Sequence, residues 1–303
     1  MKNKSTADSA VKPKRKTAYA AMANNQATAS VWTPDYVLRL QQNIQPCGCP
    51  GCNNASPLMQ FRWRNHVRYS ADMGCRKAAI EILNRTASCT ITFSEGAAES
   101  LPELAADRLQ MNQLCLHLFT AFRTEPTLLI YLLGRFIREA AALDTQQRVA
   151  LQEAWLQPDF RQTLRLDFSR SHSPDDYPPV RLHTLRELPL WSLAEEDRRL
   201  KKLEKLKSTG EEALRQRWRE LENTSGFSAA AQQEILGNYL FYLLCHHFFP
   251  GNPVEEWQKN FAVLCRRVLN LKTLLIVMST EANMENLGAL FADCHRKVMA
   301  CWR

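Results

Sequence analysis

The sequence predicts a mostly α-helical protein, in which an irregular cysteine-rich N-terminal region precedes a multi-helix, bundle-like body. The 303 residues include only ten glycines, which leaves few sites for the turns of a β-rich fold. After residue 96, apolar residues recur at spacings of three and four, as along one face of a helix. We therefore divide the chain into a disordered basic tail, a cysteine-rich metal-binding region, a helical region, a loop or linker and a C-terminal helical region, at residues 1–30, 31–95, 96–166, 167–190 and 191–303.

The net charge of +8 is concentrated in the tail. Residues 1–30 carry six basic residues and one acidic residue, which leaves a net charge of only +3 for the rest of the chain. A nearly balanced body does not suggest a nucleic-acid partner. The tail lacks the apolar core of a signal peptide, and no apolar run reaches the 18 residues of a membrane-spanning helix. We therefore expect a cytoplasmic protein with no membrane insertion.

Four of the ten cysteines lie close together in the sequence, at Cys47, Cys49, Cys52 and Cys75. Two glycines and a proline separate the first three and impose tight turns, so these thiols are not helix or strand core positions. In a reducing compartment, clustered cysteines indicate metal ligation rather than disulfides. Thiolates suit either a tetrahedral zinc ion or an iron-sulfur cluster, and the spacing does not choose between these two or exclude a loop of metal-free thiols.

Aromatic and basic side chains nearly alternate over residues 59–69, which predicts an edge strand or an extended clamp. Arginines in such a stretch could hold an anionic cofactor or substrate through bidentate contacts, although a solvated strand face has the same pattern. The candidate cofactor-binding residues in this stretch are Arg62, Trp63 and Arg64.

Local signals place the other elements. Thr33 and Pro34 predict a helix start within residues 31–40, and Cys75 falls at the first turn of another helix. Residues 89–93 are the only convincing strand signal, and a capping box at Ser100 predicts a helix to Phe122. Further helices are predicted at 127–143, 145–156, 193–207, 211–222, 235–249, 254–278 and 281–299.

The helix at 235–249 is apolar nearly all the way round, so it should be buried in the centre of the C-terminal half. His246 and His247 at its end are expected to pack or to cap the helix. Residues 167–179, with three prolines and three aspartates, predict an exposed loop.

Three stretches resemble one known family. They are Pro34-Asp-Tyr-Val, the segment Ser70-Ala-Asp-Met-Gly-Cys-Arg-Lys with the small-residue helix that follows it, and Leu236-Gly-Asn-Tyr-Leu-Phe-Tyr up to Phe249-Pro-Gly. In this order they resemble motifs of the flagellin lysine-N-methylases. Cys75 matches a family cysteine directly, whereas the other three cysteines match only as a group. The family's Cys-Cys pair is missing, and Arg76-Lys77 stands where Pro-Glu is usual.

The resemblance implies a protein-lysine N-methyltransferase that acts on flagellin with S-adenosylmethionine and holds an iron-sulfur cluster on its N-terminal cysteines. The sulfonium of that cofactor is a cation that aromatic faces can hold, which adds Tyr239 to the candidate cofactor-binding residues. No glycine-rich turn of a Rossmann-type methyltransferase is present in the sequence, and no catalytic base is identified.

An alternative interpretation is a non-catalytic helical interaction protein, zinc-stabilised or metal-free, that binds flagellar or secretion components. The missing cysteine pair and the highly charged helices predicted between residues 193 and 222 motivate this second hypothesis.

Overall fold

The structure is a computed structural model of the chain. It describes residues 28–43, 47–53, 55–84, 88–171, 227–277 and 284–300, with five isolated positions between 205 and 220. Residues 1–27 of the predicted tail, and most of the helices predicted at 193–207 and 211–222, lie outside the described residues. None of the helices that are described is both long and apolar enough to cross a bilayer.

The N-terminal region contains a four-stranded sheet with two short helices. Its elements, in chain order, are β1 Thr28–Pro34, α1 Asp35–Gln42, β2 Leu58–Arg62, β3 His66–Ala71, α2 Arg76–Leu83 and β4 Ile91–Ala97. The strand order is β2-β3-β1-β4. β1 runs parallel to β3, with Val31 opposite Val67, while the β1–β4 and β2–β3 pairs are antiparallel.

This sheet corrects the predicted fold class in the N-terminal region. We expected an irregular region with a strand at 89–93 and an edge strand or extended clamp at 59–69. Four strands form instead: residues 59–69 fall on two of them, the edge strand β2 and its neighbour β3, and β4 extends to Ala97. Residues 28–34, assigned to the tail and to a helix start, instead form β1, and the first helix begins at Asp35. The partners of β1 lie more than 30 residues away in the chain, so its pairing depends on tertiary contacts that a local pattern does not contain.

The mostly helical body agrees with the prediction. Its described helices are α3 Ala106–Phe122, α4 Pro126–Ala140, α5 Thr145–Leu156, α6 Pro158–Ser171, α7 Ala229–His246, α8 Trp257–Val277 and α9 Met284–Ala300. A capping box between Asp144 and Gln147 starts α5 at the predicted residue. The capping box predicted at Ser100 is wrong, because α3 begins six residues later, and α6 continues into the predicted loop as far as Ser171.

Helix α7 is the centre of the body, as predicted. Every residue from Ile235 to Cys245 is buried, and the helix packs against α2, α3, α4, α8 and β3. The last helix, α9, packs mainly against α2. The N-terminal sheet region and the helical body therefore share one core, and α2 and α7 lie at the junction between them.

Candidate metal centre

The structure brings the four clustered cysteines together. Cys47, Cys49 and Cys52 lie on the loop between α1 and β2, and Cys75 is the residue that caps the N-terminus of α2. Their four Sγ atoms all lie within 4.8 Å of one another, and Cys49 Sγ is 3.5 Å from Cys52 Sγ. No other group of three or more potential ligands comes this close within the part of the chain that the structure describes.

Two glycines allow the loop to reach α2. Gly48 has a φ of 63°, a conformation that side chains with a Cβ rarely adopt. A Cβ on Gly51 would lie only 1.9 Å from the carbonyl oxygen of Gly74, so the loop could not approach the turn before Cys75 with any other residue there. The glycines that separate the thiols in the sequence are thus the residues that bring them together.

The surroundings of Cys49 favour the thiolate form of its side chain. Burial alone would raise its pKa, but hydrogen bonds with the backbone N–H groups of Arg76 and Cys52 and with the thiols of Cys47 and Cys52 lower it to about 6. The Arg76 N–H lies 3.5 Å from Cys49 Sγ, at the positive N-terminal end of α2. Burial raises the pKa of Cys75 instead, so its thiol would need a cation to become a thiolate.

The sulfur spacing bears on which metal fits. Four thiolates around one tetrahedral ion at a Zn–S distance of 2.3 Å stand about 3.8 Å apart. A cubane cluster places a separate iron under each thiolate, which requires the sulfurs to stand farther apart. Four cysteines supply suitable donors for either group, but sulfurs within 4.8 Å fit a single ion without rearrangement.

Helix α9 holds the turn that carries Cys75. Arg296 Nη1 donates a hydrogen bond to the Gly74 carbonyl at 2.6 Å, and Arg76 forms an ion pair with Asp293 at 3.2 Å. A Cβ on Gly288 would lie 2.4 Å from a side-chain carbon of Ile80, so α9 and α2 are in close contact. Helix α9 thereby holds the candidate metal site in place from outside the cysteine loop.

The four candidate cofactor residues do not gather at one point. Arg62 and Arg64 pair with surface carboxylates, at 2.6 Å from Glu99 and 3.6 Å from Glu103. Trp63 instead packs its ring edge-on against Phe248, at 4.8 Å between centroids. Tyr239 is buried in α7, where its ring stacks on Tyr242 and contacts Phe291.

Three histidines that the sequence did not single out as a group lie near the turn before Cys75. His246 and His247 end α7, with ring centroids 4.7 Å apart, and His295 comes from α9. His246 shares a hydrogen bond of 2.8 Å with Ser70 and stacks on Tyr242. His247 takes the C-cap position that the sequence predicted. The pair of histidines was visible in the sequence, but its proximity to His295 was not.

Burial keeps these imidazoles neutral. Burial, together with the positive charge of Arg267, lowers the pKa of His246 and of His295 to about 4. The pKa of His247 is likewise depressed by burial and by Arg267. Near pH 7 the three rings are therefore uncharged.

The comparisons with known proteins agree with the resemblance. The model of one family, described as the FliB lysine N-methylase C-terminal domain, matches residues 112–298. No curated protein and no solved structure matches significantly. The matched segment begins inside α3 and extends into α9, so it includes the histidine group and excludes the four clustered cysteines. Because the match covers more than half of its length, the chain belongs to the FliB lysine N-methylase family.

Proposed function

We propose that the protein is a protein-lysine N-methyltransferase that transfers the methyl group of S-adenosylmethionine to lysine side chains of flagellin in the cytoplasm. The observation that carries this proposal is the family match over residues 112–298. The ordered resemblances at residues 34–37, 70–83 and 236–251 support it, because two of them lie outside the matched segment.

The reaction requires a neutral amine. The ε-ammonium of a solvent-exposed lysine has a pKa of about 10.4 and no free electron pair, so it must lose a proton before it attacks the methyl carbon. The N–C bond then forms as the C–S bond breaks, and S-adenosylhomocysteine leaves. An environment that disfavours positive charge lowers the pKa of a bound lysine in the same way that it lowers that of a histidine.

The histidine group provides such an environment. His246 and His295 are neutral, half-buried and close to positive charge from Arg267. They support the proposal as uncharged neighbours that would favour the neutral form of a bound lysine, whose proton would pass to solvent. Phe61, whose ring lies 5.3 Å from that of His246, supplies an apolar surface beside them.

The four cysteines would hold a metal centre that joins the loop 47–53 to α2. The family resemblance implies an iron-sulfur cluster there, while the sulfur spacing favours one tetrahedral ion such as zinc. A bound zinc ion would stabilise this part of the fold, whereas a cluster would also be able to carry electrons. Metal analysis of protein purified without oxygen distinguishes one zinc from about four irons per chain.

The test is a methylation assay on purified components. Flagellin is incubated with the protein and S-adenosylmethionine, and its lysines are analysed by mass spectrometry. The proposal predicts lysines heavier by whole methyl groups only when both protein and cofactor are present. Unmodified flagellin, under conditions in which an intact relative methylates it, would contradict the proposal.

A second function is favoured by the close spacing of the four sulfurs, which fits a single tetrahedral ion. A tetrahedral ion with four thiolate ligands has no open coordination position, as in structural rather than catalytic zinc sites. The protein could then be a helical interaction protein that binds flagellar or secretion components without modifying them. A pull-down that recovers such a component with its lysines unmodified would favour this alternative, and methylated flagellin would exclude it.

A further inference from the structure

Buried polar atoms without hydrogen-bond partners are concentrated in one place. Within the described residues, seven buried side-chain nitrogen or oxygen atoms have no hydrogen-bond partner. Four of the seven belong to three residues, as Arg68 Nε and Nη2, Arg108 Nε and His66 Nε2. These residues surround the rings of Trp32, Trp63 and Phe248. We call these six residues the arginine group.

The Arg68 side chain is held firmly inside the protein. It extends from β3, is 1% exposed, and its guanidinium lies 4.4 Å from the ring centroid of Trp32 and 3.9 Å from that of Phe248. One nitrogen, Nη1, donates to Asn112 Oδ1 at 2.6 Å and to the Cys245 carbonyl at 3.2 Å. The orientation of the guanidinium is thus fixed by one nitrogen and two flanking rings.

The remaining edge of this guanidinium has the geometry of a carboxylate receptor. In arginine, the Nε–H and one Nη2–H point in the same direction from one side of the planar group. Two parallel donors of this kind match the two oxygens of a carboxylate. Both of these nitrogens lack a partner in Arg68. Because buried donors are normally satisfied, their arrangement along one edge indicates a ligand with two acceptor oxygens.

The arginine group also has excess positive charge. The guanidinium of Arg108 lies 5.2 Å from the Phe248 ring and 5.9 Å from the Trp63 ring. Burial lowers the pKa of Arg68 to about 10, and repulsion from Arg108 contributes to this shift. In the described part of the chain, neither arginine forms an ion pair. An anion would therefore neutralise charge that the protein itself leaves uncompensated.

We propose that Arg68, assisted by Arg108 and His66, binds the carboxylate of S-adenosylmethionine. The inference rests on the proposed function for the identity of the ligand. In that cofactor a short carbon chain separates the carboxylate from the sulfonium, and the faces of Trp63 and Phe61 lie near the same group to hold a cation. Trp63 and Arg108 are only half-buried, so the arginine group reaches the surface on their side.

The test removes the carboxylate from the ligand and the arginine from the protein in turn. Binding of S-adenosylhomocysteine and of its decarboxylated form is measured calorimetrically with the full-length, metal-loaded protein. Loss of the carboxylate should weaken binding to the wild type by about tenfold or more, as expected for charge-assisted hydrogen bonds. In Arg68→Lys the same loss should weaken binding by only about twofold to threefold, because a point charge replaces the two parallel donors.

Two further variants keep the test decisive. Arg108→Gln removes a side chain that makes no hydrogen bond in the described residues, so the variant should fold even if Arg68→Lys does not. It should also reduce the effect of decarboxylation. Arg165→Gln is the matched control, because this exposed arginine pairs with Glu125 at the surface of the body and should leave the wild-type ratio unchanged.

The outcomes separate this inference from the proposed function. If the wild type binds S-adenosylhomocysteine and decarboxylation has the same effect in wild type, Arg68→Lys and Arg108→Gln, the carboxylate assignment is wrong and the methyltransferase proposal stands. If the wild type binds neither compound, the cofactor of the proposed function is wrong as well. The inference is supported if decarboxylation weakens binding less in Arg68→Lys and Arg108→Gln than in the wild type, and as much in Arg165→Gln as in the wild type.

Discussion

Two buried arginines, one in each region of the molecule, differ in the partners that surround their guanidinium groups. In the helical body, the Arg148 guanidinium forms an ion pair with Asp107 and donates from Nε to the Ala140 carbonyl at 3.0 Å. In the sheet region, Arg68 is equally buried but has no carboxylate partner within the described residues, and two of its nitrogens are unsatisfied. A satisfied arginine is expected to stabilise the fold, and an unsatisfied one is expected to serve a ligand.

The two regions also differ in the kinds of side chain that they contribute. The helical body buries apolar side chains around α7, and it is the part that the family model matches. The sheet region contributes the four thiols and the free edge of Arg68. Hydrogen bonds join the two regions: Arg68 donates to Asn112, and the Tyr242 hydroxyl donates to the Ala71 carbonyl. Helices inside the segment that the family model matches therefore position residues, such as Arg68, that lie outside that segment.

Loss of the proposed metal should have the largest effect, and the effect should be confined to one region. Removing the metal by chelation, or with Cys49→Ser, should destabilise the cysteine loop and α2 by about 3 kcal/mol or more, because ligation and local folding are coupled. Hydrogen exchange should become faster at residues 47–84 and in α9, which contacts α2, and should stay unchanged in α7.

Cys265→Ser is the control for this experiment. This half-buried cysteine lies on α8, outside the group of four, so its replacement should leave both metal content and the exchange of residues 47–84 unchanged. Equal exchange with and without metal in the cysteine loop would show that the four thiols do not hold a structural ion.

Replacing Arg148, the arginine that forms an ion pair, should lower the free energy of unfolding. Arg148→Met removes the partner of Asp107 and a guanidinium packed 5.1 Å from the Trp257 ring. Because Asp107 is partly exposed, we expect a loss of about 1–3 kcal/mol in the free energy of unfolding, less than for a fully buried pair. Urea unfolding measures this loss, and a change below about 0.5 kcal/mol, the usual range for surface substitutions, would show that Arg148 is not a structural residue.

Replacing Arg68, which forms no ion pair within the described residues, should lower the free energy of unfolding much less. Arg68→Met removes a buried charge that has no counter-ion, so the lost hydrogen bonds to Asn112 and Cys245 are offset by the desolvation that is avoided. We expect the ligand-free variant to differ from the wild type by less than about 1 kcal/mol in urea unfolding, as for functional residues that do not contribute to stability. A loss larger than that of Arg148→Met would make Arg68 a structural residue too.

Acid should weaken the junction between the two regions. The pKa of His246 and of His295 is about 4 in the folded protein and near 6.5 when unfolded, so the unfolded state binds more protons between these values. Their contribution to stability is present above pH 6.5 and is lost as the pH falls toward 4. The titratable and charged groups that act on them are His247, Arg267, Arg296 and Asp72.

Thermal unfolding of wild type and His246→Gln over this pH range measures the contribution of one ring. The variant should lose less stability than the wild type between pH 6.5 and pH 4, since glutamine does not titrate. Parallel pH profiles for the two proteins would mean that His246 is not buried as a neutral ring.

What the sequence could predict was local. The helix predicted at 145–156 matches α5, whose capping box lies within the four residues from Asp144 to Gln147, and the apolar residues of 235–245 indicated a helix buried on all sides. The short spacing of the cysteines likewise pointed to a group that the structure brings together.

What it could not predict depends on residues far apart in the chain. The parallel pairing of β1 with β3 joins residues 36 positions apart, and a short β-branched stretch does not reveal such a partner. The anchors of Arg68 are Asn112 and Cys245, 44 and 177 positions away. An arginine in an alternating stretch is typical of an exposed strand face, so the burial of Arg68 follows only from the packing of α3 and α7 on the sheet.

Mass spectrometry of flagellin is the measurement that tests the central claim most directly. Purified flagellin is incubated with the metal-loaded protein in the presence and in the absence of S-adenosylmethionine. The account predicts methylated lysines only in the complete mixture, with the formation of S-adenosylhomocysteine. Flagellin with unmodified lysines, recovered in complex with a folded and metal-loaded protein, would contradict it and would identify the chain as a binding protein built on the fold of a methylase.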